Sequence, residues 1–167
     1  MRLFFALWPN AVTRTRLDRW GQSLHDVCGG RRTPAESLHL TLAFLGNIAD
    51  ARVPEVEAAM QRVAPRRFLL TLDTPGYWKK NSIAWAGTTA VPAELEALAA
   101  DLRTELAAAG IPFDPQPFAV HVTLLRDARA PAAMPALEAI AWPVDGFALV
   151  ASAGGRYEIR KASGPGE

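Results

Sequence analysis

The strongest constraint on how this chain can fold is a segment it states twice. "SLHLTLAFLG", Ser37 to Gly46, and "AVHVTLLRD", Ala119 to Asp127, each set His-x-Thr-Leu in an apolar run, about half a chain apart. Short runs of this kind read as β-strands buried on one side. On a regular strand His39 and Thr41 share one face, spaced by roughly 6–7 Å, while Leu38, Leu40, Leu42 and Phe44 point the other way into a core. His121 and Thr123 stand in the same relation to Val120, Val122 and Leu124. The repetition suggests two related halves. If their polar faces meet across a cleft, two imidazoles and two hydroxyls converge.

The remaining pattern supplies elements to build those halves. "RLFFAL" (Arg2 to Leu7) reads as a buried strand stopped by Pro9, and Leu17, Trp20, Leu24 and Val27 recur at helical steps after it. "CGGRRTP" reads as a basic loop leading to the first histidine strand. Val53, Val56, Met60 and Val63 mark a second helix, "RFLLTLDT" a strand, Pro75-Gly76 a turn and "SIAWAG" another strand. Leu95, Leu98, Leu102 and Leu106 follow Pro92 at helical spacing. After the second histidine strand come a loop, one helical turn at residues 136–141, and two closing strands, "GFALVAS" and "RYEIRKA", joined through Gly154-Gly155. The fold class is α+β. Residues 1–161 are expected to form one domain and 162–167 a flexible tail.

Composition narrows the function. With 167 residues, half of them apolar, the chain can bury a substantial core. A net charge of +1 argues against a basic face wrapped by a long duplex, but leaves room for a small anion or an RNA end. Cys28 is the single cysteine, so no disulfide framework is expected, consistent with a cytoplasmic location. No apolar run is long enough to span a bilayer, so no membrane association is expected.

Two imidazoles and two hydroxyls in one cleft suit phosphodiester chemistry. One histidine takes a proton from the nucleophile and the other gives one to the leaving oxygen, both within reach of neutral pH. Threonine hydroxyls donate to the non-bridging oxygens, where charge accumulates. Arg126, five residues after His121, falls on the wrong face of a regular strand; a bulge or twist would bring its guanidinium to the phosphate. A zinc site normally takes a third ligand, which neither strand supplies, so no metal is expected. His25 lies in the first helix without such a setting and reads as a surface residue. Phe4, Trp8, Trp78 and Trp85 are candidates to stack a nucleobase, with Phe4 and Trp85 carried forward as substrate-binding residues. Arg31-Arg32, Lys79-Lys80 and Arg156 are candidates to steer an RNA backbone. A second class of function, a non-catalytic nucleotide-binding module, fits the same cleft. It has no need of a proton-transfer pair.

The motifs "LHLTLAFLG" and "PFAVHVTLLRD", with "RLFFAL", "LDTPGYWKKNSIAWAG" and "ALVAS…RYEI" in the same order, make the chain resemble the RNA 2′,3′-cyclic phosphodiesterases. These 2′-5′ RNA ligase-like proteins belong to the two-histidine phosphoesterase superfamily. The resemblance implies a bilobal fold of two antiparallel-rich sheets related by a pseudo-twofold axis, with both motifs in a central cleft. It implies hydrolysis of an RNA terminal 2′,3′-cyclic phosphate, or of small cyclic-phosphate nucleotides, to a 2′-phosphomonoester by a monomer without cofactor. His39 would be the proton donor and His121 the proton acceptor, with Thr41 and Thr123 holding the phosphate; the run in reverse would make a 2′-5′ link. The sequence itself is equally consistent with exchanged roles. Where relatives commonly have a proline before the second histidine this chain has Val120, and of a polar pair in the late strand only Ser152 remains.

Overall fold

The computed structural model describes residues 1–164. Its elements are strands β1 (Arg2–Leu7), β2 (Arg31–Arg32), β3 (Leu40–Asn47), β4 (Phe68–Leu72), β5 (Thr74–Trp78), β6 (Ile83–Gly87), β7 (Val122–Arg126), β8 (Ile140–Val144), β9 (Phe147–Ala153) and β10 (Arg156–Ser163), with helices α1 (Ala11–Cys28), α2 (Val53–Gln61) and α3 (Ala93–Ala108). Two four-stranded antiparallel sheets carry the architecture. One runs β10-β9-β1-β3 and the other β2-β7-β6-β5; β4 and β8 form a separate two-stranded sheet. In each half a strand leads into a long helix, and the chain returns through a histidine to an antiparallel neighbour. β1, α1 and β3 make this unit in the first half, and β6, α3 and β7 in the second. Each helix packs across the halves, α1 on β7 and α3 on β3. One apolar core therefore joins both sheets.

Local chemistry explains these elements. The Asn10 side chain accepts the Thr13 N–H at 2.8 Å and caps α1. The helix buries Leu17, Trp20, Leu24 and Cys28, whereas Val27, expected on that face, is 46 % exposed; the step of four from Leu24 selects Cys28. α3 buries Leu95, Leu98, Leu102 and Leu106 as their spacing predicts. Gly154 and Gly155 both take positive φ, +58° and +76°, and close the β9–β10 hairpin with a tight turn.

Four expectations are corrected. Arg31–Arg32 is not loop but a short strand paired with Leu125 and Arg126. Pro75-Gly76 is not a turn: both lie inside β5, an edge strand where a proline's missing N–H disturbs no ladder. Gly76 sits directly opposite Trp85, and any Cβ there would overlap the indole. Residues 136–141 form no helical turn; Ile140 and Ala141 open β8, which pairs with β4. β10 continues through Ser163, so the tail cannot begin at residue 162, and the rest of that expectation, residues 165–167, lies outside the described residues.

Candidate active site

His39 and His121 each stand one residue ahead of their strand, at the starts of β3 and β7, and both line one open cavity of about 850 Å³ between the sheets. Their local bonding is the same. His39 Nδ1 donates to the Ser37 carbonyl at 2.7 Å, and His121 Nδ1 donates to the Ala119 carbonyl at 3.0 Å. A carbonyl only accepts, so each ring carries its proton on Nδ1 and leaves Nε2 as the exchanging nitrogen. His39 Nε2 meets Thr41 Oγ1 at 3.1 Å. Thr41, Thr123 and Arg126 line the same cavity. Among the described residues, no group of three or more His, Cys, Asp or Glu side chains comes together as a metal site.

Both strands break regular alternation at the same point. On β3, Phe5 pairs with Ala43 but Ala6 with Thr41, so Leu42 is an extra residue. On β7, Ala84 pairs with Leu125 but Trp85 with Thr123, so Leu124 is extra. These are β-bulges, and they bury two successive residues, Leu42–Ala43 and Leu124–Leu125. The residue after each doublet therefore returns to the face of the histidine. That residue is Arg126 on β7, which reaches the cleft as a bulge would require. On β3 it is Phe44, which faces the cleft and not the core expected for it. Thr33 satisfies the second bulge: its N–H donates to the Leu124 carbonyl and its hydroxyl to the Thr123 carbonyl, both at 2.9 Å.

The two imidazoles differ in their surroundings. His39 is boxed by three aromatic rings. Trp8 lies flat against it, 5.3 Å away and 7° from parallel, while Phe4 and Tyr157 approach at 4.9 and 5.2 Å. His121 meets Trp78 edge-on at 4.7 Å. Burial lowers the pKa of each below the usual histidine value, against the backbone carbonyl, which raises it. The Arg126 cation lowers both further, and a charge on His121 lowers His39, as expected of like charges sharing one cleft.

Other sequence candidates separate. Phe4 lines the cleft but is only 3 % exposed, so it backs His39 and has no open face for a base. Trp85 is not in the cavity wall; it packs on Trp78 over Gly76 and Gly87, and Trp78 takes the wall position. Arg31 and Arg32 line the cleft but are paired, with Asp127 at 2.7 Å and Asp18 at 2.9 Å. Lys79, Lys80, Arg156 and His25 lie outside it, while Ser152 lies within. Tyr157, on β10 opposite Ser152, completes the aromatic box through its ring contacts with Phe4, Trp8 and His39.

Comparisons with known proteins agree with this geometry. The chain matches the model described as "LigT like Phosphoesterase" over residues 7–85 and 87–158, one histidine motif in each segment. It is 36 % identical over 146 residues, 87 % of this chain and 78 % of the other, to a protein of Escherichia coli strain K12 named RNA 2′,3′-cyclic phosphodiesterase. A Thermus thermophilus protein of the same name is 33 % identical, covering 91 % of this chain and 82 % of its own. The crystal structure of E. coli LigT in apo form superposes with a TM-score of 0.84 at 33 % identity, covering 98 % of this chain and 96 % of that one. That protein has also been solved in complex with 3′-AMP and with phosphate. A two-sheet fold with one His-x-Thr motif on each sheet, matched by the family model over nearly the whole chain, places this chain in the LigT-like phosphoesterase family.

Proposed function

We propose that this chain hydrolyses the terminal 2′,3′-cyclic phosphodiester of RNA to a 2′-phosphomonoester, using its two histidines and no metal ion. The observation that carries the reading is the matched pair of imidazoles. Each is fixed at Nδ1 by a carbonyl two residues back, which leaves Nε2 for proton transfer at one cleft, that of His39 beside the Thr41 hydroxyl. A binding module has no use for two such groups. The name carried by the E. coli and T. thermophilus relatives supports the same substrate.

In this reading His121 Nε2 takes a proton from water as the water oxygen bonds to phosphorus, and the bond from phosphorus to the 3′ oxygen breaks. His39 Nε2–H donates its proton to that departing oxygen. The aromatic surroundings favour this direction, against the repulsion by which a protonated His121 lowers His39. His121, with one aromatic neighbour, is the ring more open to water. His39 lies flat beneath an indole face, which attracts an imidazolium and helps it hold the proton it must give. The burial that lowers its pKa makes it a stronger acid once an anionic phosphate has helped to protonate it. Thr41, Thr123 and the Arg126 guanidinium bind the non-bridging oxygens. Microscopic reversal joins a cyclic end to a 5′-hydroxyl as a 2′-5′ link.

The test is incubation of an oligonucleotide bearing a 2′,3′-cyclic phosphate with the protein in excess EDTA, followed by identification of the product. Release of a 2′-phosphate under chelation is expected. A 3′-phosphate product would exchange the leaving oxygen and the roles of the two rings, and loss of turnover in EDTA would mean that a metal does the work.

A further inference from the structure

The segment that leads into each histidine crosses over to the other histidine strand. Ahead of His39, the Thr33 N–H donates to the Leu124 carbonyl on β7 at 2.9 Å. Ahead of His121, the Asp114 N–H donates to the Phe44 carbonyl on β3 at 2.8 Å. The two crossings are alike in backbone and unlike in side chain. The Thr33 hydroxyl makes a second bond to β7, donating to the Thr123 carbonyl at 2.9 Å. The Asp114 carboxylate instead turns to the Gln116 N–H at 3.0 Å.

The hydroxyl answers a need that the bulge creates. On a regular strand successive carbonyls point to opposite edges, so an edge partner meets every second one. On β7 the successive carbonyls of Thr123 and Leu124 both bond to Thr33, which has a single backbone N–H to give. Its hydroxyl supplies the other donor. No third strand backs this edge, because β2 is the outermost strand of the sheet and pairs through Arg31 and Arg32. Pro34 has no N–H to extend the ladder, and one 3₁₀ turn, Ala35–Ser37, carries the chain on to the carbonyl that fixes His39. Leu124 is the extra residue that returns Arg126 to the cleft, and the two peptide groups flanking Leu124 are the ones Thr33 holds. Thr33 itself lines the cavity with Arg126.

We propose that Thr33 is a positioning residue, whose hydroxyl locks the β7 bulge and so aims the Arg126 guanidinium at the phosphate. The inference rests on the cyclic-phosphodiesterase reading above. The experiment measures kcat/KM for an oligonucleotide ending in a 2′,3′-cyclic phosphate, with each variant held below its unfolding midpoint. Thr33→Val keeps the side-chain shape and loses the donor, and should cost about three- to tenfold, the scale of one hydrogen bond. Thr33→Ala, which also lacks the donor, should match it. Thr33→Ser keeps the donor and should stay within about twofold of the wild type. In an Arg126→Gln background Thr33→Val should cost almost nothing more, because the group it aims is gone. Binding of inorganic phosphate, followed by tryptophan fluorescence, should weaken in Thr33→Val and recover in Thr33→Ser. Wild-type rates in Thr33→Val, equal losses in Thr33→Val and Thr33→Ser, or a Thr33→Val loss undiminished without Arg126 would each overturn the positioning role and leave the hydrolysis reading intact. A wild type that does not turn over overturns the hydrolysis reading, and the phosphate titration then decides the role of Thr33 by itself.

Discussion

The two histidine strands begin alike and end differently. From the histidine through the bulged leucine, β3 and β7 share the i−2 carbonyl that fixes the imidazole, the threonine two residues on and the buried apolar doublet. The next cleft-facing residue is Phe44 on one strand and Arg126 on the other. The surroundings follow the same split: three aromatic rings around His39, one ring and a nearby guanidinium at His121. The shared part is what a proton-transfer pair needs. The unlike part gives a pseudo-symmetric cleft a direction, with a guanidinium at one strand's end and an aromatic ring at the other's.

The largest effects should fall on the shared part. His39→Ala and His121→Ala should each reduce kcat by about 10²–10⁴-fold with unfolding midpoints near the wild type, as general acid–base loss implies. A rate near wild type in either variant would remove that ring from the mechanism. Next comes the residue that breaks the symmetry. Arg126→Gln should cost about 10–100-fold in kcat/KM, the scale of hydrogen bonds to a charged partner. It should also move the pH profile. Arg126 lowers both imidazoles, so its removal lets them protonate at higher pH, and the bell-shaped kcat/KM profile shifts to the alkaline side. A profile shifted the other way would mean that Arg126 does not face the pair. Both limbs report the coupled pair and not either ring alone.

Thr41→Val and Thr123→Val should lose about tenfold or less each, the value of a single hydroxyl hydrogen bond to a charged oxygen. Full activity in both would show that the hydroxyls do not touch the phosphate. The smallest effect is expected at Trp8. Trp8→Leu removes the indole face from His39, so the donor loses its proton more easily and the alkaline limb should move toward acid pH, with a loss of a few-fold in kcat. A pH profile that does not change would leave Trp8 a packing residue only.

Much of this was legible in the sequence because it rests on period and on local chemistry. The leucine spacing marks α3, the helical steps after Pro9 mark α1, Gly154-Gly155 the last hairpin, and the repeated His-x-Thr-Leu both halves of the site. What escaped depended on pairing. Strict alternation put Phe44 in the core and Arg126 on the far face; the bulges reverse both. The doublets Leu42–Ala43 and Leu124–Leu125, two apolar residues in succession where a polar one was due, carried that signal. Pro75-Gly76 looked like a turn because its glycine answers to Trp85 across the sheet, which no local rule reports. For the same reason Trp78 and Trp85 could not be told apart: both suit a strand, and only β5–β6 pairing sets one at the cleft and the other over two glycines.

Turnover of a 2′,3′-cyclic-phosphate oligonucleotide by His39→Ala, His121→Ala and the double variant, all in EDTA, tests the paired-imidazole claim most directly. Rings that act as one unit on one phosphorus predict a double variant scarcely slower than either single, because removing one partner already disables the other. Losses that multiply would mean that the two histidines act independently, and the shared cleft would not be their common site of chemistry.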